Sequence, residues 1–312
     1  MNFEETLKQR TQEAQAILSA YLPAEEGFQK TVLEAMNYSV LAGGKRLRPV
    51  LMRETFFLFG GQGELIEPFM AALEMIHSYS LVHDDLPAMD NDEYRRGRQT
   101  TWRVYGEGMA VLAGDGLLNY AYETAGRVFD LLKKRRSEAG GQNAGEEQWR
   151  AAARALQVLA QKAGVYGMVG GQCADILAEN RRQEEVTEEL LFYIHKNKTA
   201  ALIESAIMIG AILAGASEEQ IGRMERVAED IGLAFQIQDD ILDVIGDQDM
   251  LGKPVGSDEK NHKTTYVTLK GVKAAQEEAD RLTQEALAML RSFGQRNLFL
   301  EELVEALMHR EK

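Results

Sequence analysis

Proline limits where this chain can be helical, and it occurs only five times, at Pro23, Pro49, Pro68, Pro87 and Pro254. Inside a helix it removes a backbone donor and clashes with the preceding turn. The stretches between the prolines are rich in Ala, Leu, Glu, Gln, Met and Arg, which are strong helix formers. They predict an all-α fold: a bundle of long helices over residues 3–21, 26–42, 49–59, 64–85, 109–132, 147–179, 187–214, 218–246, 273–292 and 298–309. No alternating strand pattern persists, and the one internal similarity is a pair of aspartate clusters. A chain of 312 residues can hold two domains or one large core. The stretch KKRRSEAGGQNAGEE, residues 133–147, reads as a solvated surface loop and not as a boundary. A single domain over residues 1–312 is therefore expected.

Acidic side chains outnumber basic ones by 49 to 35, for a formal net charge of −14. That balance disfavours nucleic acid and anionic membranes as partners, and any anionic ligand then needs a local basic pocket. Cys173 has no intramolecular partner, and the start MNFEETLKQR lacks the layout of a secretory leader, so a cytoplasmic protein is expected. The most apolar stretch, residues 200–216, is interrupted by Glu204 and reads as a buried core helix, too short in its uncharged run to span a bilayer.

The first aspartate cluster, Asp84, Asp85 and Asp90 in HDDLPAMD, closes the apolar-periodic segment AALEMIHSYSLVHDD, and Pro87 should stop that helix. Carboxylates at a helix C-terminus face the negative end of the macrodipole, at a cost of a few tenths to ~1 kcal/mol each. A cation should sit there. In the second cluster, Asp239, Asp240 and Asp243, the i,i+4 spacing puts Asp239 and Asp243 on one helical face with Asp240 at its edge. Their mutual repulsion makes sense if a hard cation such as Mg²⁺ bridges them to a bound phosphate. The alternative for either cluster alone is a solvated acidic patch.

Basic residues answer this need. In GGKRLRP, Gly43 and Gly44 allow close backbone approach and Pro49 starts a helix whose amides can face an anion. Arginines suit bidentate phosphate recognition, and Arg95, Arg96 and Arg98 follow the first cluster directly. Lys198, Lys253 and Lys263 lie in the second half. His77 precedes Asp84 by seven residues, two turns of the same helix, which suits phosphate contact; a structural histidine is the alternative.

The order of GGKRLRP, HDDLPAMD, RRG, GGQCAD, HKNKT, FQIQDDILD and the lysines of LGKPVGSDEKNHKTTY resembles that of trans-isoprenyl (polyprenyl) diphosphate synthases over nearly the whole chain. It is most similar to bacterial farnesyl diphosphate synthases, whose first aspartate motif carries two extra residues. The resemblance implies an isoprenoid synthase fold with a deep central cavity, the aspartate motifs facing each other across its mouth, and a homodimer. It implies three Mg²⁺ per active site, with Mn²⁺ able to substitute, and assigns Asp84, Asp85, Asp90, Asp239, Asp240 and Asp243 to metal and the allylic diphosphate. Arg95, Lys198 and Lys263, with Lys253 nearby, would hold that diphosphate, while Lys45, Arg48, His77 and Arg96 would bind isopentenyl diphosphate. Thr199 and Gln236 would face the developing carbocation, and Gln172 and Asp175 match a cavity-lining motif.

The implied reaction is head-to-tail condensation of isopentenyl diphosphate with dimethylallyl or geranyl diphosphate. Positions five and four before Asp84 form the cavity floor in that family, and here they are Tyr79 and Ser80. A bulky ring beside a small residue implies a farnesyl product; Tyr79 as a mere core aromatic is the alternative. Other readings are a geranylgeranyl diphosphate synthase, a terpene cyclase, which the GKRLRP segment disfavours, and a non-catalytic subunit of the same fold. The tail from Met308 to Lys312 could close over the diphosphates or be frayed.

Overall fold

Helix boundaries follow the prolines. In the computed structural model, which describes residues 2–138, 145–179, 181–182, 185–245 and 264–308, Pro68 occupies the first turn of one helix and Pro23 and Pro87 lie just past the ends of two others. The helices are α1 (Phe3–Tyr21), α2 (Lys30–Val40), α3 (Leu47–Leu58), α4 (Glu67–Asp84), α5 (Thr101–Tyr105), α6 (Glu107–Gly126), α7 (Val128–Glu138) and α8 (Glu146–Ala163). After them come α9 (Met168–Glu179), α10 (Glu188–Ile194), α11 (Ala201–Leu213), α12 (Glu218–Ile245), α13 (Tyr266–Lys270), α14 (Val272–Arg291) and α15 (Leu298–Met308). The expected all-α fold is what forms. None of the described helices is long and apolar enough to cross a membrane.

The helical periodicity overran several breaks. The segment expected as one helix over 109–132 divides at Arg127, and that over 147–179 divides in the turn following α8, which contains Gly164 and Gly167. Residues 187–214 contain a π-helical stretch, His195–Ala200, between α10 and α11. One small antiparallel hairpin also escaped the pattern, β1 (Tyr94–Arg95) against β2 (Arg98–Gln99). Its central residues Arg96 and Gly97 both have positive φ, 53° and 73°, as a type I′ turn requires.

The described residues fall into two compact units, one within Met1–Arg53 and Gln62–Leu156, the other within Glu54–Gly61 and Gln157–Lys312. At the centre of the first is α4, buried from Pro68 to Ile76 without interruption. It packs along α6, whose buried face carries Ala110, Ala113, Gly114, Ala121 and Ala125, small residues that let two helices approach closely. In the second unit α11 is buried on all sides and packs on α12, which also packs along α14. The one charge inside α11, Glu204, is 2% exposed and is met by Lys162 of α8, which also reaches Glu225 at 2.9 Å.

Removing one partner of such a pair strands the other. Lys162→Met should lower unfolding free energy by about 3 kcal/mol, whereas the double variant Lys162→Met, Glu204→Leu should recover most of the loss. Urea denaturation of the three proteins checks this.

Candidate active site

The GGKRLRP segment owes its shape to backbone that few side chains tolerate. Gly43 and Gly44 have φ of 91° and 133°, and Arg46 has φ of 48°. A Cβ at Gly44 would run into the Arg96 guanidinium at 2.7 Å, so the glycine admits that side chain, which donates to the Gly43 carbonyl. Arg46 is buried, donating to Glu74 Oε1 at 2.8 Å, Gln15 Oε1 at 2.8 Å and the Val40 carbonyl at 2.6 Å. It clamps the segment to α4, while its neighbours Lys45 and Arg48 are exposed and half-buried.

His77, one turn beyond Glu74, senses this cluster. Burial first, and then the guanidiniums of Arg48, Arg96, Arg46 and Arg95, hold its imidazole well below the ordinary value, so it is neutral at pH 7. Four arginines from α3, the loop before it and the β1–β2 hairpin thus gather around His77 of α4 in the first unit. Of the residues that sequence reading assigned to diphosphates, Arg48, His77, Arg95 and Arg96 belong to this cluster and Lys45 is exposed beside Arg46; that reading missed that Arg46 is spent on Glu74. A glutamate inside an apolar helix was the available signal.

Helix α4 ends at Asp84, and the Asp90 amide donates to the Asp84 carbonyl at 2.9 Å, so the two extra motif residues are taken up in a turn that brings Asp90 back to Asp84. Asp85 is buried and accepts from Arg95 Nε at 2.6 Å. A cation does sit at this helix C-terminus, and it is Arg95. Burial still pushes the Asp85 carboxyl up to about 6 against that pull. Asp84 is half-buried and Asp90 exposed.

Tyr79 is 6% exposed, with its ring edge-on to His83 at 5.8 Å. Burial, then Tyr122 of α6 and Asp84, push its hydroxyl up to about 12. Gly114 of α6 lies where any side chain would strike the His83 ring. Ser80 is half-buried and donates to the His77 carbonyl at 2.9 Å.

In the second unit the π-helical stretch carries Lys198 and Thr199, and wide turns of this kind recur at functional sites. Two glycines make room for it. A Cβ on Gly171 of α9 would collide with the Lys198 backbone, and one on Gly232 of α12 would collide with Ala200. Lys198 Nζ meets the buried Asp175 carboxylate at 2.5 Å. Thr199 Oγ1 donates to Gln236 Oε1 at 2.8 Å, and Gln236 Nε2 donates to Asp240 Oδ1 at 3.2 Å. Asp240 and Asp243 are buried, and Asp239 and Gln172 half-buried. His195, which sequence reading passed over, stands 3.7 Å from Asp240 Oδ2. Lys253, Lys263 and the tail beyond Met308 lie outside the described residues. Among the described residues no three His, Cys, Asp or Glu side chains converge as a preformed metal site.

Comparison with known proteins gives one answer about family and several about product. Residues 29–305 match the Polyprenyl synthetase family model. The chain is 39% identical to a farnesyl diphosphate synthase of Geobacillus stearothermophilus, over 99% of both chains. It is 39% identical to a dimethylallyltranstransferase of Fischerella ambigua, over 99% of this chain and 84% of that one. A geranylgeranyl diphosphate synthase of Cyanophora paradoxa is 40% identical over 89% of this chain and 87% of its own. Among solved structures, an FPP/GFPP synthase from Zymomonas mobilis superposes with a TM-score of 0.81 at 31% identity, covering 98% of this chain and 99% of that one.

The His77 environment has a signed consequence for stability. Its pKa is depressed in the folded state, so as pH falls below ~6.5 the unfolded chain takes the proton first and stability drops. Asp85, raised to about 6, works in the opposite direction over an overlapping range, so the comparison must be between variants. Unfolding free energies from pH 7.5 to 5 should fall more for the wild type than for His77→Asn; parallel curves would show that His77 protonates as readily folded as unfolded.

Proposed function

Because this chain belongs to the polyprenyl synthetase family and is a prenyltransferase that makes trans-prenyl diphosphates, we propose that its product is farnesyl diphosphate. The observation that carries this reading is Tyr79, buried against His83 five residues before Asp84. On one helix that offset sets its Cα roughly 7.5 Å deeper than that of the aspartate. Packed interiors resist added methylenes, so a fixed ring at that depth ends chain growth. A geranylgeranyl product is the second reading, favoured by relatives that bear that name.

In this reading Lys45, Arg48, His77 and Arg96 hold isopentenyl diphosphate. The neutral His77 imidazole donates one hydrogen bond, and the charge comes from the arginines around it. Arg95 and Lys198, with Lys253 and Lys263, hold the allylic diphosphate. The acidic residues offer only carboxylate oxygens, the ligand type that Mg²⁺ prefers, and Asp84, Asp85, Asp90, Asp239 and Asp243 would hold it. Bound Mg²⁺ supplies neutralisation of the diphosphate as its bond to the allylic carbon breaks.

The chain's own side chains do the rest. Thr199 commits its proton to Gln236, which leaves the oxygen lone pairs to face positive charge on the allylic fragment. The double bond of isopentenyl diphosphate attacks that carbon. The departed diphosphate accepts the proton then lost, which fits a site whose one described imidazole among the arginines is kept neutral and starved of basicity.

We further propose that residues 1–312 work as one catalytic domain, a reading supported by a family match that runs through both units. The enzyme would act as a homodimer in the cytoplasm. Val111 and Leu112 on α6, 41% and 54% exposed, offer apolar surface for a second copy.

Purified protein supplied with labelled isopentenyl diphosphate and dimethylallyl or geranyl diphosphate should form farnesyl diphosphate only with a divalent cation. Asp84→Ala and Asp239→Ala should each cut turnover by ~10² or more. Near-normal turnover in both would reject the metal assignment.

Product analysis tests the floor. Tyr79→Ala should shift products to geranylgeranyl diphosphate or longer while leaving the KM for isopentenyl diphosphate within about threefold. A wild type that already makes mainly geranylgeranyl diphosphate, or an unchanged product in the variant, would remove the basis of the farnesyl reading.

A further inference from the structure

In the second aspartate cluster, Asp240 ties α12 to the start of α13. It is 4% exposed, and both its oxygens are engaged by groups of the protein. Oδ2 accepts from the Tyr266 amide at 2.9 Å, and Oδ1 accepts from Gln236 Nε2 at 3.2 Å. His195 Nε2 stands 3.7 Å from Oδ2. Along α12, Asp239 and Asp243 lie about 40° apart, and Asp240 lies about 60° beyond Asp243, on the edge away from Asp239.

Each of these partners belongs to an element that matters for the chemistry. Gln236 passes the contact on to the Thr199 hydroxyl, 2.8 Å from its Oε1. His195 begins the π-helical stretch that also carries Lys198. Tyr266 is the first residue of α13, whose opening amides have no partner inside the helix. Thr265 satisfies the Thr268 amide through a capping box, and Asp240, reaching across from α12, satisfies that of Tyr266. A metal ligated through these oxygens would have to share them with two buried hydrogen bonds, one of which ties the start of α13 to α12.

We infer that Asp240 is a positioning residue and not a metal ligand: its carboxylate fixes the π-helical stretch bearing Lys198 and Thr199, and the start of α13, in register with Asp239 and Asp243. The inference rests on the prenyltransferase reading of this site. Lys198 and Thr199 serve the allylic partner, so loss of register should show on that substrate. Isopentenyl diphosphate, assigned to residues of the first unit, should be indifferent.

The experiment compares Asp240→Asn, Asp240→Ala and Asp239→Asn. Asparagine keeps an oxygen for the Tyr266 amide and, with the Gln236 amide turned over, keeps the link to Thr199. Asp240→Asn should therefore leave the half-saturating Mg²⁺ concentration within about twofold of wild type, where Asp239→Asn raises it about tenfold. Asp240→Ala should raise the KM for the allylic diphosphate about tenfold with little change for isopentenyl diphosphate. A Mg²⁺ requirement in Asp240→Asn that rises with that of Asp239→Asn overturns the inference, and so do equal effects on both KM values.

A second measurement does not depend on activity. Hydrogen exchange over Thr265–Lys270 should quicken about tenfold in Asp240→Ala and match wild type in Asp240→Asn. Unchanged exchange in Asp240→Ala overturns the inference whatever the enzyme does. If exchange behaves as expected but wild type transfers no prenyl group with Mg²⁺, the reading of the function fails and the structural role of Asp240 stands.

Discussion

Arg46 and Glu74 form a buried ion pair, 2.8 Å long, on which the placement of the charged residues of the first unit depends. Arg46 is held at φ 48° in a loop opened by two glycines, so the strain there is offset by three hydrogen bonds to Gln15, Val40 and Glu74. Fixing that loop to α4 brings Lys45 and Arg48 to the helix that carries His77 and ends in Asp84. A buried charge without a partner is costly, so neither Arg46 nor Glu74 can be lost alone without disturbing the segment.

The same device recurs with different stakes. Arg95 is held by Asp85 at 2.6 Å and Lys198 by Asp175 at 2.5 Å, and in each pair the carboxylate is the buried member. A cation held this way is already oriented, so in the proposed assignment little further side-chain freedom would be lost on meeting an anionic ligand. Arg46 differs because both members are buried, which makes it part of the frame. In the proposed assignment, the basic residue that supports differs from those that bind by its burial.

That distinction explains what was legible in the sequence. Spacing exposed the helices, because apolar periodicity and proline placement act locally, and it exposed the aspartate clusters as an electrostatic oddity. It ran through the breaks near Arg127, Gly164 and His195, where the apolar face continues although the backbone does not. The π-helical stretch depends on Gly171 and Gly232 in two other helices, so no local pattern announces it. In GGKRLRP the three basic residues look alike until Glu74 claims one of them. In FQIQDDILD the three aspartates look alike until the Tyr266 amide claims Asp240.

Product length belongs to the part of the molecule that motifs do not describe. Relatives of nearly equal identity bear the names of different products. In the reading proposed above, the residue that sets product length lies deeper on α4, five positions before Asp84. At that depth α4 presents Tyr79, whose ring is wedged edge-on against His83, while Gly114 of α6 leaves the space that lets His83 take up that position. A tyrosine in a loose pocket could swing aside for another isoprene unit. Here the ring is 6% exposed and meets His83 edge-on, on the helix whose packing against α6 forms the core of the first unit. In the farnesyl reading proposed above, the stop would rest on that seam as well as on the bulk of the ring.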